Sequence, residues 1–150
     1  MWSVNFSCLP ISIMAIITPV VTQLLMHATA KALATSKDGD INVVPVSTIK
    51  VVDDTIRLVD YFMEKTRDNM QGNPNVSLVC RQDMIGYQIK WIVVYLTSGE
   101  LFDQACAWIK PIHPDRTIQW LIVLKPSAIF DIGPAKNTEE EIRAQASLVT

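Results

Sequence analysis

The sequence predicts a mainly β protein with flanking helices: a six-stranded antiparallel barrel and three helices. Three observations carry this prediction. Apolar segments that alternate with period two, or are dense in Val and Ile, recur along the chain between Asp-, Gly-, Asn- and Pro-containing breaks. The connections are mostly short, and tight turns make successive strands antiparallel. Strands this long, apolar and numerous favour a closed or nearly closed barrel over an open sheet, because closure removes exposed edges.

A length of 150 residues suits one domain with its own core. Apolar residues make up 49% and charged residues 19%, a balance that excludes disorder. Thirteen basic residues face fifteen acidic ones, and no run of Lys or Arg occurs, so no footprint for nucleic acid exists. Cys8, Cys80 and Cys106 are odd in number and share no metal-ligand spacing. A disulfide framework and a metal site are therefore disfavoured, and a reducing, cytoplasmic setting is expected. Residues 9–26 are strongly apolar but are interrupted by Pro10 and Pro19 and punctuated by Ser12, Thr18, Thr22 and Gln23; no Lys or Arg precedes Lys31. A signal peptide needs a basic leader and a membrane span about 20 clean apolar residues, so neither is expected. Residues 1–17 read as an N-terminal extension, with Met14 as an alternative start, residues 18–133 as the domain, and residues 134–150 as a polar tail containing Glu139-Glu140-Glu141.

Residues 18–29 read as an amphipathic helix, with Thr18 as cap, Pro19 at the first position, and Val20, Val21, Leu24 and Leu25 on the apolar face. Residues 31–36 form a strand, Asp38-Gly39 a hairpin turn, and residues 41–52 one long returning strand. Pro45 inside it marks an edge, a bulge or the lip of a site. Asp53-Asp54 turns the chain into a strand over residues 55–59, and a short polar helix follows, stopped by Gly72-Asn73-Pro74. Residues 75–82 and 87–97 are the next strands; in the second, Tyr87, Ile89 and Trp91 share one face and Gln88 and Lys90 the other. Leu101, Phe102, Ala105, Cys106 and Ile109 recur at helical spacing. Residues 117–124 form the last strand, with residues 128–132 as an extension beyond a break at Pro126.

The stretch from Asp60 to Asn69 organises the rest. The period changes from two to helical near residues 62–64, which puts Lys65 and Thr66 in the first turn of a helix. The macrodipole favours cations at the opposite end. A lysine beside a hydroxyl makes sense here if an anion docks on the free N–H groups. The alternative is that Glu64 satisfies the dipole while Lys65 points at water. No Gly-x-Ser-x-Gly elbow, Walker loop, His-Glu-x-x-His or zinc-spaced Cys pair is present, so any chemistry belongs to a cofactor.

Ala32-Leu33-Ala34-Thr35, Asp38-Gly39, Asn42-Val43-Val44-Pro45-Val46, Phe62-Met63-Glu64-Lys65-Thr66, Asn73-Pro74-Asn75-Val76 and Gly86-Tyr87-Gln88-Ile89-Lys90 follow in that order. This series resembles the FMN-binding split-barrel family related to pyridoxamine 5′-phosphate oxidase, over residues 31–132. The resemblance implies a six-stranded antiparallel split β-barrel and a homodimer with flavin at the subunit interface. It implies that Lys65 and Thr66 hold the flavin phosphate. Val44, Pro45, Val46 and Ser47 would lie along the ring, Asp60, Tyr61 and Phe62 would pass close to it, and Gln88 would approach from the facing subunit. Asn69, one turn beyond Thr66, either touches the phosphate or faces solvent. Arg81 either approaches the phosphate or pairs with Asp83, the pair being the preferred reading; His113 reaches the partner's site or does nothing.

Two departures bear on function. Trp91 stands where the family usually has a small residue, and residues 142–147 lack the Trp/Arg-containing signature of the true vitamin B6 oxidase. The resemblance thus points to an FMN-dependent redox or electron-transfer protein, with a nicotinamide, a deazaflavin or a protein as donor, rather than to a true pyridoxamine 5′-phosphate oxidase. The competing readings are a flavin- or haem-binding module without turnover, and a cofactor-free split-barrel dimer closed by Trp91.

Overall fold

In the computed structural model of the chain, residues 17–61 and 63–134 are described. Helix α1 (Pro19–His27) begins where its sequence signals place it. Thr18 is extended at the N-cap, its hydroxyl accepts from the Val21 N–H at 3.4 Å, and Pro19 opens the helix. Val21 and Leu25, one turn apart, are buried on one face. Lys31 Nζ donates to the Leu25 carbonyl at 3.2 Å, so a cation meets the negative end of the helix. Burial lowers the Lys31 pKa, against an opposing influence from Cys80.

Strands β1 (Ala30–Lys37) and β2 (Asp40–Pro45) form a hairpin. Its turn residues Asp38 and Gly39 both have positive φ, 52° and 80°, as a tight turn matching strand twist requires. The long strand expected over residues 41–52 is in fact two, β2 and β3 (Ile49–Val52). Pro45 has no N–H with which to extend the ladder. The next amide, Val46, donates to the Lys31 carbonyl at 3.0 Å, and the chain then leaves β1 altogether. The barrel therefore has seven strands, one more than the sequence reading counts.

Strand β4 (Thr55–Asp60) pairs with β3 across Asp53-Asp54, again at positive φ. Helix α2 (Glu64–Gly72), β5 (Asn75–Gln82), β6 (Ile85–Leu96), α3 (Glu100–Ile109) and β7 (Trp120–Asp131) complete the described chain. Pro126 does not break β7 as expected. A bulge absorbs it: the register steps from Lys90 opposite Ala128 to Trp91 opposite Pro126, and the skipped Ser127 donates its hydroxyl to the Lys90 carbonyl at 3.0 Å. Residues 117–119, expected in this strand, precede it.

The sheet order is β2-β1-β5-β6-β7-β4-β3, with every pair antiparallel. Its two edges, β2 and β3, are joined by residues 46–48 alone. Four Cα steps span at most about 14 Å, so the sheet must curl until its edges nearly meet. The result is a barrel split along one seam.

Alternation sorts the side chains onto two faces. The inner face carries Leu33, Ile56, Leu58, Leu78, Ile89, Trp91 and Leu124, closed by Val21 and Leu25 of α1. On the outer face Val59, Leu121 and Val123 pack beneath Ala105 and Ile109 of α3. Elsewhere the described residues leave that outer face uncovered: Ile41 and Val43 on β2 are 72% and 61% exposed.

Candidate cofactor site

Helix α2 meets the barrel against β1 and β2. Met63 at the N-cap position supplies no side-chain hydrogen bond. The first-turn N–H groups of a helix have no acceptor within the helix itself, and the dipole makes that end locally positive. Lys65 and Thr66 lie in that turn in different settings. Lys65 Nζ is 2.7 Å from Asp40 Oδ2, with both side chains exposed. The pairing pulls the Asp40 carboxyl below its usual range and lifts the Lys65 ammonium above its own. An exposed pair holds its partners weakly, so the ammonium can exchange carboxylate for phosphate.

Thr66 is buried, and its Oγ1 accepts from Asn42 Nδ2 at 3.0 Å. Its own hydroxyl proton remains free to donate. Asn69 is also buried, and its Nδ2 donates to Thr35 Oγ1 at 3.1 Å. It pins α2 to β1 and does not face solvent.

At the β4–α2 corner, Tyr61 has a buried hydroxyl without a partner among the described residues. Arg116 lies 5.1 Å from its ring centroid and His113 meets it edge-on at 6.2 Å. Burial raises the Tyr61 pKa, against the pull of Arg116. Asp60 ends β4 opposite Trp120. Phe62 lies outside the described residues, as do residues 1–16 and 135–150, where the extension and the tail were read.

At the other end of β2, Pro45, Val46 and Ser47 line a cleft of about 390 Å³ with Ala28, Thr29 and Lys31. Val44 is half-buried beside it. Ser47 Oγ lies 3.5 Å from Thr48 Oγ1, a neighbour in sequence rather than a partner across strands. Strand β2 thus has the α2 terminus at one end and this cleft at the other.

Gln88 is held apart. The register runs Pro45–Ala32–Val79–Gln88 across four strands of the outer face. Three strand spacings, about 14 Å, separate Gln88 from Pro45 in one chain. Its Nε2 donates to Ser77 Oγ at 3.0 Å. Arg81 does turn to Asp83, but its Nε donates to the backbone carbonyl at 2.9 Å. Trp91 is 1% exposed in the barrel interior, and its Nε1 has no partner among the described residues.

Asp40, Asn42 and Arg116 were not assigned site roles from the sequence. Their signal was present for the first two, a polar pair at the start of an apolar strand, but it reads equally as turn chemistry. Arg116 is brought to Tyr61 by the loop after α3, which has no local signature. Among the described residues no group of three His, Cys, Asp or Glu side chains could hold a metal ion.

The chain is a split antiparallel β barrel with the short helix α2 docked against its edge hairpin. The family profile described as pyridoxamine 5′-phosphate oxidase matches residues 17–133, and the chain belongs to that family. It is 35% identical over 106 residues to the uncharacterized protein MJ0282 of Methanocaldococcus jannaschii, covering 66% of this chain and 70% of that one. Among solved structures, HupZ of Group A Streptococcus superposes with TM-score 0.71 at 19% identity, over 82% of this chain and 99% of HupZ. An FMN-binding protein of Syntrophomonas wolfei gives TM-score 0.66 at 17% identity, over 75% and 83%. The haem storage protein HutZ of Vibrio cholerae gives 0.61 at 15%, over 77% and 94%. At these identities the solved structures establish the fold.

Proposed function

We propose that the chain is an FMN-binding redox protein that works as a homodimer with flavin at the subunit interface. The observation that carries this reading is the first turn of α2, where Lys65 and Thr66 stand beside Asp40 and Asn42 of the edge strand β2. Phosphate seats at the first turn of α2, Lys65 exchanges Asp40 for it, and Thr66 donates its hydroxyl. The cleft at Pro45, Val46 and Ser47 takes the flavin ring, with Val44 behind it and Asp60, Tyr61 and Phe62 along its approach. The buried Tyr61 hydroxyl has a hydrogen bond left to make there. Asn69 acts indirectly by locking α2 onto β1. When bound, FMN supplies the electron or hydride transfer that no protein side chain here can perform.

The bare outer face supports the dimer. It sets Pro45 and Gln88 in one row, so a second copy packed on this face can bring its Gln88 toward the first copy's ring. Among the described residues no helix is long and apolar enough to cross a membrane. Free thiols at Cys80 and Cys106 suit a reducing cytoplasm. The electron donor is a nicotinamide, a deazaflavin or a protein.

The test is titration of the purified protein with FMN and riboflavin, in wild type and Lys65→Ala. FMN should bind well above riboflavin in wild type. Lys65→Ala should weaken FMN by more than about 1 kcal/mol, or roughly fivefold, through loss of a charge-assisted contact. Unchanged FMN affinity, or a protein that carries haem and rejects flavin, would overturn the reading.

A further inference from the structure

On the outer face beside α3, Lys50 of β3 and Arg57 of β4 stand directly opposite each other in the antiparallel ladder. Ile49, Val51, Ile56 and Leu58 take the inner face, so pleat geometry forces both cations outward together. Like charges at opposed positions repel. Neither cation pairs with a carboxylate among the described residues. Lys50 Nζ instead lies 5.6 Å from the centroid of the Trp108 ring. Arg57 Nη1 donates to Gln104 Oε1 at 3.3 Å, while Gln104 Nε2 donates to Glu100 Oε1 at 3.2 Å. Arg57 Nε is buried with no partner among the described residues. A buried guanidinium nitrogen left unmatched is costly, and a carboxylate is its natural complement.

Lys50, Arg57, Gln104 and Trp108 border a cleft of about 460 Å³, completed by Ala105 and Ala107. That is far more than a bare ion fills and lies within the size range of small-molecule sites, about 300–1,000 Å³. Two cations at one wall, an indole at another and two alanine methyl groups make it half charged and half apolar. We infer that this cleft binds a small aromatic carboxylate, with its anionic group between Lys50 and Arg57 and its ring against Trp108 and the alanines. The site is built from β3, β4 and α3, not from α2 and β2, and does not depend on the flavin reading.

Benzoate is the probe, titrated into the ¹⁵N-labelled full chain at constant ionic strength. The readout is the Trp108 indole N–H signal, assigned with Trp108→Phe. The signal should shift saturably, and Arg57→Gln should weaken binding at least tenfold. Lys50→Gln, on the half-buried edge strand β3, should weaken it at least threefold and carries the test if Arg57→Gln fails to fold. Lys65→Ala should leave benzoate binding unchanged whatever it does to FMN. A shift that never saturates, or a midpoint unmoved in Lys50→Gln, overturns the proposal. So does inorganic phosphate binding as tightly as benzoate, since the cleft would then be an inorganic-ion site.

Discussion

Cys80 shows how far one position can move the chemistry of a common side chain. It is fully buried in the barrel interior, and its thiol lies 3.9 Å from the Tyr87 carbonyl, to which it donates. Burial pushes its pKa up to about 11, against smaller opposing influences of that hydrogen bond and Lys31. The folded state therefore holds the thiol proton more tightly than the unfolded state. Stability should be flat below about pH 9 on this account and fall as pH rises toward 11, by up to about 1.4 kcal/mol per pH unit. Denaturant melts between pH 8 and 11 check this, and Cys80→Ala should flatten the decline. Asn69 gives a second test at this scale. Asn69→Ala leaves the buried Thr35 hydroxyl without its donor and should cost about 1–3 kcal/mol. An undiminished melting temperature would show that α2 is held by other contacts.

Among the elements, α1 and β2 are decided by single residues at their ends. Thr18 caps α1 through the Val21 N–H, so Thr18→Ala should lower stability by about 1 kcal/mol, read from the urea midpoint at unchanged slope. Pro45 ends β2 and sends Val46 back to Lys31, which turns one apolar run into two strands at opposite edges of the sheet. Pro126 has the contrary outcome. Its neighbour strand continues on both sides, so the bulge at Ser127 costs one pairing and keeps the rest of β7 in register. Prolines of equal local strength thus end a strand at a sheet edge and are carried through near its centre.

For the whole molecule, the asymmetry of the outer face is the leading feature. Helix α3 covers one half, over β7 and β4, and nothing among the described residues covers Ile41 and Val43 on the other. Exposed apolar side chains on an edge strand favour association. The proposed homodimer predicts that Val43→Lys shifts the protein to a monomer in sedimentation analysis while leaving its fold intact by circular dichroism. If the partner completes the flavin site, FMN affinity in this variant should fall at least tenfold. A monomeric variant with full FMN affinity would place the cofactor within one chain.

The sequence by itself determined the local structure and the family. Thr18-Pro19, Asp38-Gly39, Asp53-Asp54 and the Gly72-Asn73-Pro74 stop each carry their backbone preference within two or three residues, and the structure places caps and turns where those residues stand. The period change near residues 62–64 likewise placed Lys65 and Thr66 in the first turn of α2. Only the tertiary structure decided which strand ends at a proline, what Lys65 and Asn69 touch, and where Gln88 lies. Those outcomes depend on neighbours far away in sequence: Asp40 reaches Lys65 across 25 residues, Thr35 reaches Asn69 across 34, and Pro45 and Gln88 share a row only through two intervening strands. Local chemistry chooses turns and helix ends because their energies are local. Barrel closure chooses the rest, because side chains meet across the sheet only after its order and register are set.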